Sequence, residues 1–308
     1  MYYFSDGHCD YLDKVIRYGF DIDNPKENQM VRLKDMQTGG MALQFFAAWL
    51  DVNYADTNFN QFFNMLDVYR QMLASHKDTM VEFSRTFVPG KGKIATLFTV
   101  EDLGALENCC SVIPALKRAG VNAATLSHAY DNALCGSSTQ TNTMGLTEYG
   151  RNAVCLMEEN RIAVDVSHVS DATVEDLLGY AKKPIFASHS CAKAVYDVKR
   201  TLKDEYIKAI ADRGGVVCVN FCNEHLTNLK NGNIKIIADH MIHVFNVGGE
   251  NCCGMGSDFD GIDFAPDGLE TAAKLQDLAS ELRSRGLTEK QVEKIAYYNL
   301  ANYIGQFV

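Results

Sequence analysis

The feature that most constrains the fold is a repeated pattern in which a short apolar run of β-forming residues gives way to polar side chains and then to a helical segment. Strands that alternate with helices predict a parallel sheet. When polar residues follow successive strands, the simplest geometry is a TIM-like (β/α)8 barrel with one circular site at its carboxyl end. Eight runs are strand candidates: residues 2–5, 41–49, 94–99, 123–126, 162–166, 184–187, 216–221 and 252–256.

The length of the chain suits one barrel with helices between its strands. The 308 residues exceed the about 250 residues of a typical (β/α)8 barrel. We therefore predict an α/β fold in which residues 1–308 form a single domain. Helical patterns cover residues 59–85, 147–159, 172–181, 203–212, 234–245 and 289–303.

The acidic charge of the chain narrows the range of partners. The formal net charge is −10 at pH 7, whereas nucleic acids and anionic membranes attract clustered Lys and Arg. No stretch approaches the roughly 18 consecutive apolar residues of a membrane span, and the first residues lack the features of a secretory signal. We expect a cytoplasmic protein that binds neither nucleic acid nor membrane and keeps its ten cysteines reduced.

The first candidate site is His8-Cys9-Asp10, just after the first apolar run. Residues two apart on an extended segment project to one face, so the imidazole of His8 and the carboxylate of Asp10 can converge on one cation. Such nitrogen and oxygen ligands suit Zn²⁺ or a similar divalent ion. Taken alone, the triplet is more often a surface or hydrogen-bonding feature.

A Ser-His pair ends three of the apolar runs and introduces His128, His168 and His189. One such histidine is more often a structural residue with satisfied hydrogen bonds than a ligand. Three in the same frame relative to three strand ends indicate a site, because the chain has only eight histidines. His225 follows a further candidate strand and stays open as a site residue.

Two carboxylates, Glu101 and Asp258, also follow candidate strands. A carboxylate such as Glu101 can bridge two cations about 3.5 to 4 Å apart, the geometry that holds a hydrolytic water. Asp258 can shuttle the proton of such a water, and Asp260 can cap the loop or support the site. Each carboxylate taken singly would be an N-cap or an ion-pair residue, whereas the whole set favours a metal centre.

Six motifs carry a resemblance: Asp6-Gly7-His8-Cys9-Asp10, Val100-Glu101-Asp102, Leu126-Ser127-His128, Asp165-Val166-Ser167-His168, Phe186-Ala187-Ser188-His189 and Gly256-Ser257-Asp258-Phe259-Asp260-Gly261. In order and spacing they resemble the membrane (renal) dipeptidase family over nearly the whole chain. The resemblance implies a binuclear zinc peptidase on a TIM-like barrel of the metal-dependent amidohydrolase type. Because the secretory signal and lipid-anchor tail of the animal enzymes are missing, the chain looks like a soluble bacterial-type member.

The same resemblance implies a metal-ligand set. His8, Asp10 and Glu101 resemble the ligands of a first metal, and Glu101, His168 and His189 resemble those of a second, with Glu101 as the bridge. The implied cofactors are two Zn²⁺ or similar divalent ions per chain, with a metal-bridging hydroxide as the nucleophile.

The resemblance also implies the residues that handle the substrate. His128 looks like the residue that hydrogen-bonds the scissile carbonyl, Asp258 like the acid/base, and Arg200 like the residue that holds the substrate's C-terminal carboxylate. The implied substrate is a dipeptide, and a homodimer is an expectation from the family. The polar segment 132–142 is our candidate for a mobile cover over the site.

Two other functions stay open. One is a different hydrolase on the same scaffold, which cleaves N-acyl amino acids, lactones or phosphoesters. The other is a catalytically silent binding protein, against which the complete set of metal and acid/base positions argues. Without the resemblance, Arg200 would be an ordinary surface arginine.

Overall fold

A computed structural model describes residues 1–308 as a parallel β-barrel surrounded by helices. The barrel fold predicted from the alternating pattern is confirmed, and all strand pairs are parallel. The strands are β1 (Phe4–Asp6), β2 (Met41–Trp49), β3 (Met80–Glu82), β4 (Ile94–Glu101), β5 (Val121–Thr125), β6 (Ala163–Asp165), β7 (Val217–Asn220) and β8 (Cys253–Gly256).

The order of the strands around the barrel is β6-β5-β4-β2-β1-β8-β7, and β3 pairs with the start of β4. Two isolated bridges close the gap between β6 and β7, because Phe186 pairs with Asp165 and Ala187 pairs with Val217. The predicted strand at 184–187 is therefore reduced to these two pairings. Pro184 has no N–H group to donate to a neighbouring strand, which shortens the ladder at that end.

Helices cover the outside of the barrel, and none of them is both long and apolar enough to cross a membrane. Short 3₁₀ turns occur at Leu103–Ala105 and Ala272–Lys274, and a π-helical turn, Lys294–Tyr298, joins the last two helices. The helices are α1 (Tyr11–Tyr18), α2 (Leu33–Gly39), α3 (Asn58–Ser75), α4 (Cys109–Ala119), α5 (Glu148–Glu159), α6 (Asp171–Tyr180), α7 (Asp204–Asp212), α8 (Asn223–Leu226), α9 (Ile234–Gly248), α10 (Leu275–Ser284), α11 (Glu289–Glu293) and α12 (Asn299–Ile304).

Side-chain caps fix where several helices begin. Thr147 accepts a hydrogen bond from the backbone of Gly150 at the start of α5, and Ser170 caps α6 in the same way. The helix predicted at 59–85 is wrong at its carboxyl end. It stops at Ser75, because the residues of β3 pair with β4 instead of continuing the helix.

The carboxyl-terminal segment closes the amino-terminal end of the barrel. The Ser5 hydroxyl donates to the carbonyls of Ala296 and Tyr297, and the Tyr303 hydroxyl donates to the carbonyl of Pro184. The ring of Tyr303 packs 4.9 Å, centroid to centroid, from Phe186 inside the barrel. This plug leaves the carboxyl ends of the strands as the open end, where a site can form.

Candidate metal centre

The predicted site residues lie together at the carboxyl end of the barrel. His8 and Asp10 follow β1, Glu101 ends β4, and Asp258 follows β8. His128 and His168 follow β5 and β6, and His189 follows the two bridge residues that stand in for a strand.

Glu101 lies between two groups of nitrogen ligands. Its Oε1 atom is 2.8 Å from Nε2 of His168 and 3.6 Å from Nε2 of His189. Its Oε2 atom is 3.4 Å from Nε2 of His8, which in turn is 3.6 Å from Oδ2 of Asp10. One carboxylate thus presents one oxygen to each group, as a bridging ligand would.

Unsatisfied polar atoms show that a cation fits this site. The Nε2 atom of His8 and the Oδ1 atom of Asp10 are buried and have no hydrogen-bond partner, a state that costs about 1 to 3 kcal/mol per group. The Nε2 atoms of His168 and His189 face each other at 2.7 Å. Divalent cations are bound by such imidazole nitrogens and carboxylate oxygens, so the donor set matches a metal centre.

Three sets of ligand atoms lie within 4.8 Å of one another, and they overlap in their members. The sets include Asp258 and His128 as well as the five predicted ligands. Distances alone therefore do not separate predicted ligands from other site residues, and the other contacts of Asp258 and His128 must decide their roles. The sets are His8 with Glu101 and His189, Glu101 with His128 and His168, and His8 with Asp10 and Asp258.

The electrostatics of the site favour bound cations. Burial raises the pKa of Glu101, but the charges of His8 and His128 outweigh burial and hold this pKa well below its usual value. Burial, with the charge of Arg200, holds the pKa of His168 well below its usual value, and burial with the charge of His8 does the same for His189. Glu101 is therefore ionised and these two imidazoles are neutral, which are the forms that bind metals. Burial lowers the pKa of His8, but the charges of Glu101 and Asp10 outweigh burial and raise this pKa well above its usual value, so a cation has to displace a proton from His8.

Two buried aspartates that the sequence interpretation missed hold the strand ends in place. Asp165 Oδ1 accepts hydrogen bonds from the backbone N–H groups of Ser167 and Ser188, at 2.9 and 3.0 Å. Asp6 accepts from the backbone N–H and the hydroxyl of Ser257, and so ties β1 to β8. Each aspartate lies two or three residues before a site histidine in the sequence, which is the signal that could have identified both.

A serine orients one of the predicted ligands. The hydroxyl of Ser188 and the Nδ1 atom of His189 are 2.7 Å apart, which leaves Nε2 free to face the centre. Metal-bound imidazoles commonly donate their other N–H group in this way. At this strand end the Ser-His pair therefore supplies both a predicted ligand and the hydroxyl group that orients it.

Arg200 lies behind the histidines and is buried, with 8% of its surface exposed. Its Nε donates to Nδ1 of His168 at 3.1 Å, its Nη1 donates to the hydroxyl of Ser190, and its Nη2 donates to the carbonyl of His189. These contacts use three of the five guanidinium N–H groups. A surface role for Arg200 is thereby excluded.

Asp258 faces the centre from the last strand. Its Oδ1 atom is 3.9 Å from Nε2 of His8, and its Oδ2 atom accepts a hydrogen bond from the side chain of Asn220 at 3.0 Å. Burial, together with the charges of Asp10 and Glu101, raises the pKa of Asp258 to about 7, against the opposing effect of His8. A carboxyl group with this pKa can both accept and release a proton near neutral pH.

A cavity of about 240 Å³ opens onto these groups, and Trp49 forms part of its wall. The indole Nε1 of Trp49 donates to Nδ1 of His128 at 3.3 Å. The residues that line the cavity are Asp10, Lys14, Trp49, Glu101, His128, His168, Asp258 and Gly261.

Two neighbouring segments support the site. Asp260 accepts hydrogen bonds from the backbone N–H groups of Met30 and Val31, in agreement with the predicted loop-capping role. In the segment 132–142, expected to be a mobile cover, Leu134 and Ser137 are fully buried. The Ser137 hydroxyl donates to the carbonyl of His128, so this part of the segment packs against the loop that carries His128.

Comparisons with known proteins give matches over nearly the whole chain. The model of the membrane dipeptidases, peptidase family M19, matches residues 2–306. An uncharacterised dipeptidase of Schizosaccharomyces pombe is 30% identical over 327 aligned residues, which cover 96% of this chain and 78% of that protein. A dipeptidase of Claviceps purpurea is 28% identical, with coverage of 96% and 75%.

A solved structure has the same fold. It is a metallopeptidase from Rhodobacter sphaeroides, liganded with a phosphinate mimic of the dipeptide L-Ala-D-Ala. Its TM-score is 0.92 at 20% sequence identity, and the alignment covers 100% of this chain and 99% of that one. The two chains therefore share one fold over almost their full lengths.

Proposed function

The chain belongs to the membrane dipeptidase family, peptidase family M19, and from that premise we propose that it hydrolyses dipeptides with a free C-terminal carboxylate at a binuclear centre. The observation that carries this proposal is the position of Glu101, whose Oε2 atom faces the imidazole of His8 while its Oε1 atom faces those of His168 and His189. Residues 1–308 would form one catalytic domain.

Five side chains would hold two divalent ions, Zn²⁺ or similar. His8, Asp10 and Glu101 would bind the first, and Glu101, His168 and His189 would bind the second, in keeping with the short distances from Glu101 to His8, His168 and His189 and from His8 to Asp10. When bound, such ions supply a hydroxide nucleophile at neutral pH and polarise the carbonyl under attack. The partnerless atoms of His8 and Asp10 support this assignment.

Two further residues of the chain would carry the proton and the developing charge. His128 lines the cavity beside His168 and would donate a hydrogen bond to the oxygen of the scissile carbonyl. Asp258 would take up a proton from the attacking water and pass it to the departing amine. Its contact with Asn220 fixes the carboxyl group for that task.

Arg200 would hold the free carboxylate of the substrate. A histidine that binds a cation through Nε2 carries its proton on Nδ1, so His168 in that state can no longer accept from Nε of Arg200. The guanidinium then has three N–H groups without partners, enough for a bidentate pair with a carboxylate. Free dipeptides satisfy this pair, whereas C-terminal amides do not.

One experiment separates the proposed function from the alternatives. Purified protein is assayed for bound metals by elemental analysis, and for turnover on dipeptides, C-terminally amidated dipeptides, N-acyl amino acids, lactones and phosphoesters. We expect about two divalent ions per chain and turnover of free dipeptides, which a chelator abolishes. Preference for one of the other substrates would replace the dipeptidase proposal, and the absence of any turnover by the metal-loaded protein would favour a binding protein.

A further inference from the structure

We infer that Trp49 is a positioning residue for His128, which it holds in the tautomer that carries its proton on Nε2. Trp49 is the last residue of β2, and its half-buried indole meets the half-buried ring of His128 edge-on at the wall of the cavity. The inference deepens the proposed function and rests on it, because it assigns a residue to the stabilisation of the scissile carbonyl.

The hydrogen bond between the two rings determines the tautomer. An indole N–H group is only a donor, so Nδ1 of His128, 3.3 Å from Nε1 of Trp49, must be the acceptor. A neutral imidazole whose Nδ1 accepts carries its proton on Nε2. His128 can then donate from Nε2 to a carbonyl oxygen, as the proposed mechanism requires.

The same contact distinguishes His128 from His189. A histidine that bound a cation through Nε2 would carry its proton on Nδ1, and this proton would point at the N–H group of Trp49. His189 has a serine hydroxyl beside its Nδ1, and a hydroxyl can accept that proton. An indole cannot, so the neighbour of His128 favours the tautomer with the proton on Nε2.

An ion-pair network behind Trp49 supports the position of the indole. The guanidinium carbon of Arg17 lies 5.0 Å from the centre of the Trp49 ring. Arg17 is itself paired with Asp13 at 2.5 Å and with Asp51 at 3.1 Å, so its position is fixed. A cation over the face of an indole is attracted to the ring, so Arg17 helps to hold the indole in place.

The experiment exploits the fact that Trp49 is the only tryptophan of the chain. Expression with β-(3-benzothienyl)alanine replaces the indole N–H group by sulfur at nearly constant shape, and expression with 5-fluorotryptophan is the control that keeps the donor. We expect kcat to fall by about 2- to 10-fold with the sulfur analogue, the range that one hydrogen bond supplies, while KM, metal content and Tm stay near the control values. Trp49→Phe is the second variant, should the analogue protein fail to fold.

A double-mutant cycle tests whether the effect passes through His128. In the His128→Ala background, the sulfur analogue should cause no further loss in kcat, because the residue that Trp49 positions is gone. An equal loss in both backgrounds, or no loss in either, would overturn the inference.

A readout without activity separates this inference from the proposed function. In metal-free protein labelled with ¹⁵N-histidine, the ring nitrogen signals that disappear in His128→Ala should report the Nε2–H tautomer. With the sulfur analogue they should shift toward a mixture of tautomers. An Nδ1–H tautomer in the unmodified protein would refute the positioning role even if dipeptides are hydrolysed. A failure to hydrolyse dipeptides would refute the proposed function. The tautomer measurement alone would then decide whether Trp49 positions His128.

Discussion

Replacing Asp258 by Asn tests whether this residue moves protons or binds a metal. The amide keeps the shape of the side chain and can still accept from Asn220, but it cannot take up a proton. Asp258 has a left-handed backbone with φ of 61°, a conformation that Asn tolerates as well as Asp does, so the loop should keep its path.

The size of the expected effect follows from the surroundings of Asp258. Burial and the neighbouring carboxylates place its pKa at about 7, where a positioned acid/base contributes most to the rate. We therefore expect kcat to fall by roughly 10²-fold or more in Asp258→Asn, the usual scale for such a group. Metal content should remain at the wild-type level.

The pH profile gives a second measure. As the base, Asp258 must be ionised, so the kcat/KM of the wild type should fall as pH decreases through the pKa of this residue. Cations at the centre stabilise the carboxylate, so this limb should lie below pH 7 in the loaded enzyme. The residual activity of Asp258→Asn should lack the limb.

Asp260→Asn is the matched control, because Asp260 belongs to the same loop and also has a left-handed backbone. Its carboxylate binds only backbone N–H groups, so the control should lose stability without a comparable loss in kcat. The assay is steady-state hydrolysis of a dipeptide from pH 5 to 9 together with elemental analysis. Loss of metal along with activity in Asp258→Asn would make this residue a ligand, and wild-type turnover would refute any catalytic role.

Three further predictions concern ligands, specificity and stability. Glu101→Ala should reduce both metals and His8→Ala mainly one, as measured by elemental analysis; equal losses in the two variants would contradict the bridging role. Arg200→Ala should lower kcat/KM on free dipeptides and shrink the difference in kcat/KM between free and amidated substrates, which should correspond to about 2 to 5 kcal/mol in the wild type. Equal penalties on both substrates would show that Arg200 does not bind the carboxylate. Asp165→Ala should lower the free energy of unfolding by about 1 to 3 kcal/mol for each backbone N–H group that it leaves unpaired, with a smaller loss for Asp165→Asn in urea denaturation; unchanged stability in both would refute the anchoring role.

The sequence predicted the bounds of a strand best where the segment was almost entirely apolar. The nine residues of β2 were predicted at both ends, because an apolar run of this length with one polar interruption, Gln44, is typical of a strand buried on both faces. The boundary between α3 and β3 was missed, because the residues of β3 become a strand only through their pairing with β4. Such long-range pairing leaves no periodic signal in a segment of three residues.

The residues of the candidate site could be predicted from the sequence where they directly follow a predicted strand. Side chains that directly follow parallel strands must meet at the same end of a barrel, so the frame alone brought His8, Glu101 and the three Ser-His histidines together. Arg200 follows no strand, and its burial behind His168 results from the loop after His189 folding back over the ligands. Only the resemblance pointed to it.

The partners of the ligands were harder to predict than the ligands, and the reason is chemical. A ligand is recognisable by residue type, whereas Asp165 and Trp49 act through groups that follow other strands, the backbone N–H group of Ser188 and Nδ1 of His128. Trp49 in particular ends a strand whose pattern is fully explained by burial, so nothing in the sequence separates it from a core residue. Its indole N–H group gains a function only because β5 delivers the acceptor of His128 to it. The orientation of the donor to the scissile carbonyl therefore depends on the strand order, in which β2 and β5 flank β4 and the residues at their carboxyl ends reach one cavity.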